Sequence, residues 1–413
     1  MSDAQPRPVD PDAVATLASQ LATAPFVRLY GHADGDSLAA AGLLAVALRD
    51  RRVPFQIHVS SDPAGDLTDP EAEAVDDSLR LLVTSGRREA ADHALPPSGD
   101  SRPASVAAAA VSRELGVDPD PLLALAGVIA AGSIPGADGS GSLLEAAEQA
   151  GLLTRRPGVA VPTADPVDGL AHSTLLDAPF SGDVDAAESM LAALGLPAES
   201  DEVDGLDGLD EAAHTRLASL VAVETSTADS ATAAAAEAVE VTLRPYETPN
   251  GPFETLGGYA DVLSALARET PGLAVSLALG AAGVKREALE TWRDHAAAAH
   301  TALDSAVTGR YDGVVVYRVR TDRPSVLPTV ARLAAQFRSP EPVALVVSEP
   351  VDGQRHAAAA TTADDPRGLA DAFASVATEF GGTTGGTPTE ATLRVDADIG
   401  DSDLIAAVRE ALG

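Results

Sequence analysis

The sequence contains no cysteine, only one lysine (Lys285) and few aromatic residues, which make up 3% of its 413 positions. Without cysteine the chain cannot form disulfides, use a thiolate nucleophile or build a zinc ribbon. The chain also lacks a run of about 18 uncharged apolar residues that could cross a bilayer. Its start, MSDAQPRPVDPDAV, has neither a basic nor an apolar segment. We therefore expect a cytoplasmic protein that has no membrane partner.

Acidic residues outnumber basic ones by 62 to 28, which gives a formal net charge of −34. Many short carboxylates with almost no lysine keep a protein surface hydrated at high salt. This composition indicates the cytoplasm of a halophilic archaeon. Because the Debye length falls to about 3 Å at 1 M salt, the net charge argues neither for nor against a nucleic-acid partner.

The first part of the chain has the pattern of a parallel α/β domain. The segments FVRLYG (26–31) and VPFQIHVS (53–60) are typical of strands, and the helical segment SLAAAGLLAVALRDR (37–51) lies between them. SLRLLVTSG (78–86) predicts a third strand. The strand–helix–strand order predicts a parallel sheet with the loop GHADGD at its carboxyl edge, where ligands bind in open α/β sheets.

Three segments are expected along the chain, all within an α/β fold class. Residues 1–185 form the parallel-sheet domain, residues 186–308 a helical connecting region, and residues 309–413 a smaller α/β domain of ordinary size. Alternating strands and helices of this last domain are predicted at 313–319, 325–337, 342–348, 366–379, 391–396 and 401–412.

The loop after the first strand places His32, Asp34 and Asp36 at alternate positions. One nitrogen and two carboxylates in a strand-to-helix loop can converge on a hard divalent ion such as manganese or magnesium. The same residues also fit a solvated loop in which Asp36 or Ser37 caps the following helix and His32 packs locally. The loop by itself leaves both interpretations open.

The order of segments around this loop resembles the DHH phosphoesterase superfamily, and within it the archaeal RecJ-like proteins. GHADGDSLAAAGLLAVAL matches the first family motif, and ASVAAAAVSRELGVDPDPLLALAGVIAAG resembles the helical segment that leads to the fourth. YDGVVVYRVRTDRPSVLPTVARLAAQF and FGGTTGGTPTEATLRV resemble the associated C-terminal DHHA1 domain, which carries a Gly-Gly-His signature. The resemblance covers most of residues 25–413.

The resemblance implies two divalent ions, Mn²⁺ or Mg²⁺, which activate a water for in-line attack on a phosphodiester. The metal ligands that it implies in this sequence are His32, Asp34, Asp36, Asp92 and His93. YADVLSALARETPGLAVSLALG lies where the archaeal branch has an Asn-Ala-Cys-Gly-Arg segment. The implied nucleic-acid contacts are Arg268 in that segment and Gly381, Gly382, Gly385 and Gly386 in the C-terminal domain.

Four positions depart from the family pattern. Thr84 stands where the third strand should end in an aspartate, and Ala94 replaces the last histidine of an Asp-His-His motif. Ala131 stands at the aspartate of the fourth motif, and Thr387 replaces the histidine of Gly-Gly-His. We therefore hypothesise a catalytically degenerate member, with no assigned catalytic residue and with Asp34 and Asp36 as vestiges.

Three functions remain open at this point. One is a non-catalytic component of DNA replication or repair, since the family includes an inactive relative in the eukaryotic replicative helicase and archaeal forms that associate with the GINS complex. Another is a residual exonuclease or phosphoesterase that recruits Asp76, Asp77 or Asp138 as unorthodox ligands. The last is a module that binds single-stranded nucleic acid without a protein partner.

Other candidate sites have simpler explanations. His295 and His300 are five residues apart rather than four, which disfavours a zinc pair on one helix and makes surface histidines the expectation. GGTTGG (381–386) could bind an anion through its backbone, but a flexible turn is the simpler interpretation. Trp292 could stack on a base, although core packing explains it at least as well.

Overall fold

The computed structural model describes residues 10–67, 78–84, 93–95, 102–193, 195–196, 205–362 and 368–413. The chain divides into two compact units. The first consists of Met1–Leu153 with Val262–Leu289, and the second of Thr154–Asp261 with Glu290–Gly413. The division of the sequence into segments 1–185, 186–308 and 309–413 stays a prediction.

The first unit contains a parallel sheet, as the sequence predicts. Its strands are β1 (Val27–His32), β2 (Phe55–Ser60), β3 (Leu79–Val83) and β4 (His93–Leu95), in the order β2-β1-β3-β4. β1 pairs in parallel with both β2 and β3, and β3 pairs in parallel with β4. β1 therefore lies inside the sheet, and the loop that follows it leaves from the carboxyl edge.

Helices occur in both units. In chain order the α-helices are α1 (Pro11–Thr23), α2 (Gly35–Asp50), α3 (Pro63–Leu67), α4 (Ala104–Glu114), α5 (Pro121–Ala130), α6 (Gly141–Gln149), α7 (Pro166–His172), α8 (Val184–Ala193), α9 (Glu211–Thr227), α10 (Ala233–Glu240), α11 (Leu256–Glu269), α12 (Pro271–Ala278), α13 (Lys285–Asp304), α14 (Leu327–Leu333), α15 (Leu369–Phe380) and α16 (Asp401–Leu412). Short 3₁₀ turns cover Gly205–Gly208 and Pro324–Val326, and a π-helical turn at Ala334–Arg338 follows α14.

None of the helices in the described ranges is long and apolar enough to cross a membrane.

Helix α2 is buried along most of its length, and its glycines allow neighbouring helices to approach closely. An added Cβ at Gly42 would lie 2.6 Å from the Cβ of Ala278, and one at Gly35 would lie 2.7 Å from the Cβ of Ala130. Both separations are shorter than van der Waals contact, so these two positions require glycine. The end of α5 therefore lies directly against the first residue of α2.

The second unit contains a six-stranded mixed sheet in the order β11-β12-β10-β9-β8-β7. Its strands are β7 (Val307–Tyr311), β8 (Val314–Val319), β9 (Val343–Ser348), β10 (Gln354–Thr361), β11 (Thr383–Gly386) and β12 (Glu390–Asp396). β8 and β9 are parallel, and the other neighbours are antiparallel. A separate two-stranded ribbon joins β5 (Thr154–Arg155) to β6 (Tyr246–Glu247).

Both faces of the six-stranded sheet bury apolar side chains. Val316 and Leu393 belong to a cluster with residues of α15 and α16. On the opposite face, Tyr317, Val346 and Ala358 belong to a larger cluster with residues of α14 and other helices of the second unit. Side chains alternate between the two faces along each strand. Arg394, which follows Leu393 in β12, therefore lies on the same face as Ala358.

Three strands of this sheet were missing from the sequence predictions. β7 and β10 were not predicted, and the glycine cluster interpreted as a flexible turn contains β11. β10 holds four consecutive alanines at 357–360, and alanine favours helix by intrinsic propensity. This segment is a strand because it pairs with β9 on one side and β12 on the other, and tertiary context overrides propensity.

Candidate functional site

The first aspartate of the HADGD loop, Asp34, is the N-cap of α2. Its carboxylate accepts hydrogen bonds from the Ser37 amide at 2.7 Å and from the Ser37 hydroxyl at 3.0 Å. The His32 Nδ1 lies 2.9 Å from the Asp34 Oδ2. Burial acts to raise the pKa of Asp34, but His32 and the Ser37 bonds together lower it below its usual value. Asp34 thus has the structural role of a helix N-cap.

The second aspartate, Asp36, caps a different helix. Its Oδ2 accepts a hydrogen bond from the Ala104 amide at 2.6 Å and its Oδ1 accepts one from the Ser105 amide at 2.9 Å. Pro103, which precedes α4, makes no side-chain capping bond of its own. Asp36 is 3% exposed, and burial, followed by the negative charge of Asp34, raises its pKa to about 7. Both oxygens of Asp36 therefore face backbone amides.

The three residues of the loop do not fit a site for divalent ions. Asp36 offers no oxygen that is free of a backbone bond, and Asp34 is bonded to His32 and Ser37. His32 retains one nitrogen that could ligate a metal, its buried Nε2, which has no hydrogen-bond partner. Among the residues that the structure describes, no group of three or more His, Asp or Glu side chains could hold a metal ion. The loop does have capping roles, but the expected assignment was wrong: Asp34, rather than Asp36 or Ser37, caps α2, and Asp36 caps α4.

The other expected motif positions lie around this loop without supplying carboxylates. Thr84 is buried just beyond β3, and its amide donates to the Leu95 carbonyl oxygen at 3.1 Å. Ala94 is in β4 and packs against a small apolar cluster that includes Tyr30. Ala131 is the C-cap of α5, directly after the Ala130 that lies against Gly35. Small or uncharged side chains thus occupy these positions.

Of the remaining metal candidates, the structure describes His93 and Asp138. His93 is the first residue of β4, whereas Asp92 lies outside the described residues, as do Asp76 and Asp77. Asp138 is exposed and its Oδ2 accepts a hydrogen bond from the Ser133 hydroxyl at 2.5 Å. Asp138 therefore serves a local turn.

In the C-terminal domain, Thr387 occupies the turn between β11 and β12. Its hydroxyl oxygen accepts hydrogen bonds from the amides of Thr389 at 3.3 Å and Glu390 at 3.1 Å. The Thr387 amide donates to the Glu390 carbonyl oxygen at 2.6 Å. A hydroxyl at this position closes the hairpin, which is a structural use of the place where the DHHA1 resemblance implies histidine.

Backbone conformation or close packing explains why three positions of the C-terminal glycine cluster, 381, 382 and 386, are glycine. Gly381 ends α15 with a φ of +71°, which favours glycine. A Cβ at Gly382 would overlap the Arg394 carbonyl oxygen, and one at Gly386 would overlap the Glu390 carbonyl oxygen. Gly385 lies between them in β11. In the first unit, Arg268 is partly buried in the last turn of α11.

The expectation of surface histidines on α13 was wrong. His295 and His300 are each 1% exposed. The His295 Nε2 lies 2.9 Å from the Thr329 hydroxyl, and the His300 Nε2 lies 3.0 Å from the Ser173 carbonyl oxygen. Different sides of α13 are therefore covered within the second unit, and each ring has a hydrogen-bond partner that permits its burial.

Trp292 belongs to the core, so the base-stacking alternative was wrong. Its side chain is fully buried, and its indole Nε1 donates to the Asp261 Oδ2 at 2.9 Å. The Asp261 carboxylate also accepts bonds from the amide and hydroxyl of Thr174. Nearby, Arg338 bridges Asp177 and Asp304.

One signal for this buried polar network is present in the sequence. Asp261 is a lone carboxylate within the apolar helical segment YADVLSALA, and a charged residue on a buried helical face requires partners. Its partners Thr174 and Trp292 are 87 and 31 residues away in the chain. Their identity could not be inferred from the helix alone.

Sequence comparison links the chain to one relative across almost its whole length. It is 46% identical over 399 residues to "Uncharacterized protein rrnAC1427" of Haloarcula marismortui, and the match covers 96% of each chain. Residues 306–410 match the family model described as "Uncharacterized protein rrnAC1427, C-terminal domain". The source of this relative agrees with the halophilic composition.

Comparison with solved structures shows the fold. Cdc45 from Entamoeba histolytica superposes with a TM-score of 0.60 at 9% identity, covering 97% of this chain and 99% of that one. RecJ in complex with Mn²⁺ from Thermus thermophilus gives a TM-score of 0.51 at 14% identity, covering 99% of this chain and 56% of that one. The expected RecJ-like DHH fold is thereby confirmed.

Proposed function

This chain belongs to the rrnAC1427 protein family, and we propose that it is a catalytically degenerate protein of RecJ-like DHH fold that acts as a binding component in DNA replication or repair. The observation that carries the proposal is the pair of hydrogen bonds that the Asp36 carboxylate accepts from the Ala104 and Ser105 amides. These bonds give a motif aspartate a structural role in place of a metal.

A two-metal phosphodiesterase needs several carboxylates that converge on two adjacent ions, because the ions generate the nucleophile and stabilise the developing charge. Here Asp34 and Asp36 are both engaged as helix caps. The uncharged residues Thr84 and Ala131 stand where two further carboxylates are expected. Such a set of residues supports loss of hydrolytic activity.

The binding role is supported by the retained architecture. The chain keeps the whole fold that it shares with Cdc45 and RecJ, including the six-stranded C-terminal sheet, although its motif positions have changed. We propose single-stranded nucleic acid and replication or repair proteins, such as a GINS-like complex, as its partners. Arg268 and the glycines of the hairpin around β11 are the proposed nucleic-acid contacts.

The alternative is an active Mn²⁺-dependent single-strand exonuclease or phosphoesterase that uses non-standard ligands. Among the described residues, the His32 Nε2 favours it, since a buried ring nitrogen without a partner can bind a metal. A single nitrogen donor does not hold two divalent ions.

Metal titration tests the degenerate site. Electron paramagnetic resonance of added Mn²⁺ should show no pair of coupled ions on the protein in native salt. Asp36→Asn serves as the matched variant, because its signal should equal that of the unmodified chain. A two-ion signal that disappears in this variant would contradict the proposal.

Affinity capture tests the binding role. The tagged chain is used as bait in a halophilic archaeal lysate at native salt, with an unrelated acidic halophilic protein as the control bait. Enrichment of replication or repair proteins with the chain alone is expected. Their absence would leave the proposed role in a complex without support, and the single-strand binding module would then explain the fold better.

A further inference from the structure

Three strands of the C-terminal sheet place a row of polar side chains on one face. Arg394 of β12 lies directly opposite His356 of β10 and, on its other side, opposite Thr383 of β11. Directly opposed residues of antiparallel strands share a face of the sheet. The side chains of Thr383, Arg394 and His356 therefore form one row, which we call the arginine row.

The arginine row lies at the uncovered end of its face. Toward β8, the same face is buried by Tyr317, Val346 and Ala358 against helices of the second unit. Toward β11 the cover ends, since Arg394 and Thr383 are exposed and His356 is half-buried. The row is thus accessible to a ligand at its outer end.

Arg394 has no ion pair within the described part of the chain, unlike several other arginines of this domain. Arg310 pairs with Glu341, and Arg320 with Glu349. Arg355 is bonded to Asp401. In a chain with 62 acidic residues, an arginine without a carboxylate partner is available for an anion from outside.

His356 is suited to lie beside this guanidinium as a neutral donor. Burial, and after it the positive charge of Arg394, lower the pKa of His356 below its usual value, although Asp352 acts in the opposite direction. A neutral imidazole still donates one N–H, and the Thr383 hydroxyl supplies a further donor. The row therefore offers donors of three kinds without mutual charge repulsion.

We propose that the arginine row binds a backbone phosphate of single-stranded nucleic acid. The inference rests on the proposed nucleic-acid role and assigns side chains to it. A guanidinium holds a phosphate through two parallel hydrogen bonds, which depend on geometry and survive salt better than long-range attraction. Gly385 shares this face by strand alternation and adds no side chain to it.

Acidic residues lie on the same face on either side of the row. Asp396 lies two residues after Arg394, and Glu390, opposite Ala360, lies four residues before it. Both carboxylates repel phosphates, so one phosphate is expected at the row itself rather than several along β12.

Binding of fluorescent single-stranded oligonucleotides in a KCl series tests the proposal. Arg394→Gln should weaken binding about tenfold for every oligonucleotide sequence, as expected for loss of a charge-assisted phosphate contact. His356→Gln should have a smaller effect in the same direction. Arg320→Gln is the matched control, because that arginine is exposed, lies in the same domain and pairs with Glu349. It should leave affinity unchanged.

A second measurement addresses the phosphate itself. Replacing backbone phosphates by neutral methylphosphonates should weaken binding to the unmodified chain but have little further effect on Arg394→Gln. If the chain binds and Arg394→Gln behaves like Arg320→Gln, the arginine row is refuted while the proposed function stands. If the unmodified chain binds no single strand, the nucleic-acid part of the proposed function fails together with the row.

Discussion

The Asp36 Oδ2 lies 2.6 Å from the amide nitrogen of Ala104, and this contact joins the first motif to the helix that begins 68 residues later. The adjacent Ser105 amide binds the other oxygen of the same carboxylate. A carboxylate at a helix N-terminus satisfies free amides and interacts favourably with the helix dipole. The motif aspartate is thus part of the scaffold.

Loss of the Asp36 carboxylate should destabilise the fold. Asp36→Ala leaves two buried amides of α4 without acceptors, and the expected decrease in the free energy of unfolding is about 2 kcal/mol. Asp36→Asn keeps one acceptor and removes the charge beside Asp34, so its decrease should be smaller. Urea unfolding at constant KCl measures both. Equal stability of the alanine variant and the unmodified chain would refute the capping role.

The fluorescence of Trp292 should report folding and remain insensitive to nucleic acid. This is the only tryptophan, and it is fully buried with its indole bonded to Asp261. Its emission should shift to the red when the second unit unfolds. Saturation with single-stranded oligonucleotides should leave its intensity unchanged, and strong quenching on binding would show that a base reaches the ring.

Burial of His300 should make the stability of the fold depend on pH. Burial lowers the pKa of His300 below its usual value of 6.5, while the Ser173 bond and nearby carboxylates act in the opposite direction. The unfolded chain therefore takes up a proton near pH 6.5 that the folded chain resists. As pH falls below 6.5, the free energy of unfolding should decrease by at most about 1.4 kcal/mol per pH unit from this group.

The matched variant for this pH dependence is His300→Gln, whose amide can still donate to the Ser173 carbonyl oxygen. Its free energy of unfolding should fall less steeply below pH 6.5 than that of the unmodified chain, measured by urea unfolding at each pH. Identical slopes for the two proteins would show that His300 is protonated in the fold.

Substitution of Gly382 should lower the stability of the fold. A Cβ at this position overlaps the backbone carbonyl oxygen of Arg394, so Gly382→Ala must displace β11 from β12. A decrease in the free energy of unfolding of about 1 to 3 kcal/mol is expected from such overpacking. Thermal unfolding at fixed KCl measures it, with Thr378→Ala on the exposed side of α15 as a control. An unchanged melting temperature for Gly382→Ala would contradict the close approach of these strands.

The parallel sheet and the place of the HADGD loop could be predicted because the local patterns agree with the tertiary structure. FVRLYG is apolar and short, and the following segment is rich in helix-forming alanine and leucine. The six-stranded sheet was harder to predict. QRHAAAAT forms β10 only because two partner strands flank it, and this pairing is non-local.

The site could be predicted only in part for the same reason. The spacing of His32, Asp34 and Asp36 identified the correct loop, but the partners of Asp36 are amides 68 and 69 residues away. Backbone amides carry no side-chain signature, so no sequence pattern identifies them as the partners. Likewise, Arg394 and His356 meet through strand register, which the alanine-rich sequence of β10 conceals.

The most direct test of the degenerate site is hydrolysis of 5′-labelled single-stranded DNA by the purified chain in native salt with added Mn²⁺. We expect no Mn²⁺-dependent release of nucleotides, and the same result for Asp34→Ala and Asp36→Ala. Release of nucleotides by the unmodified chain that both substitutions abolish would contradict the account, since it would show that these carboxylates still serve a metal-dependent reaction.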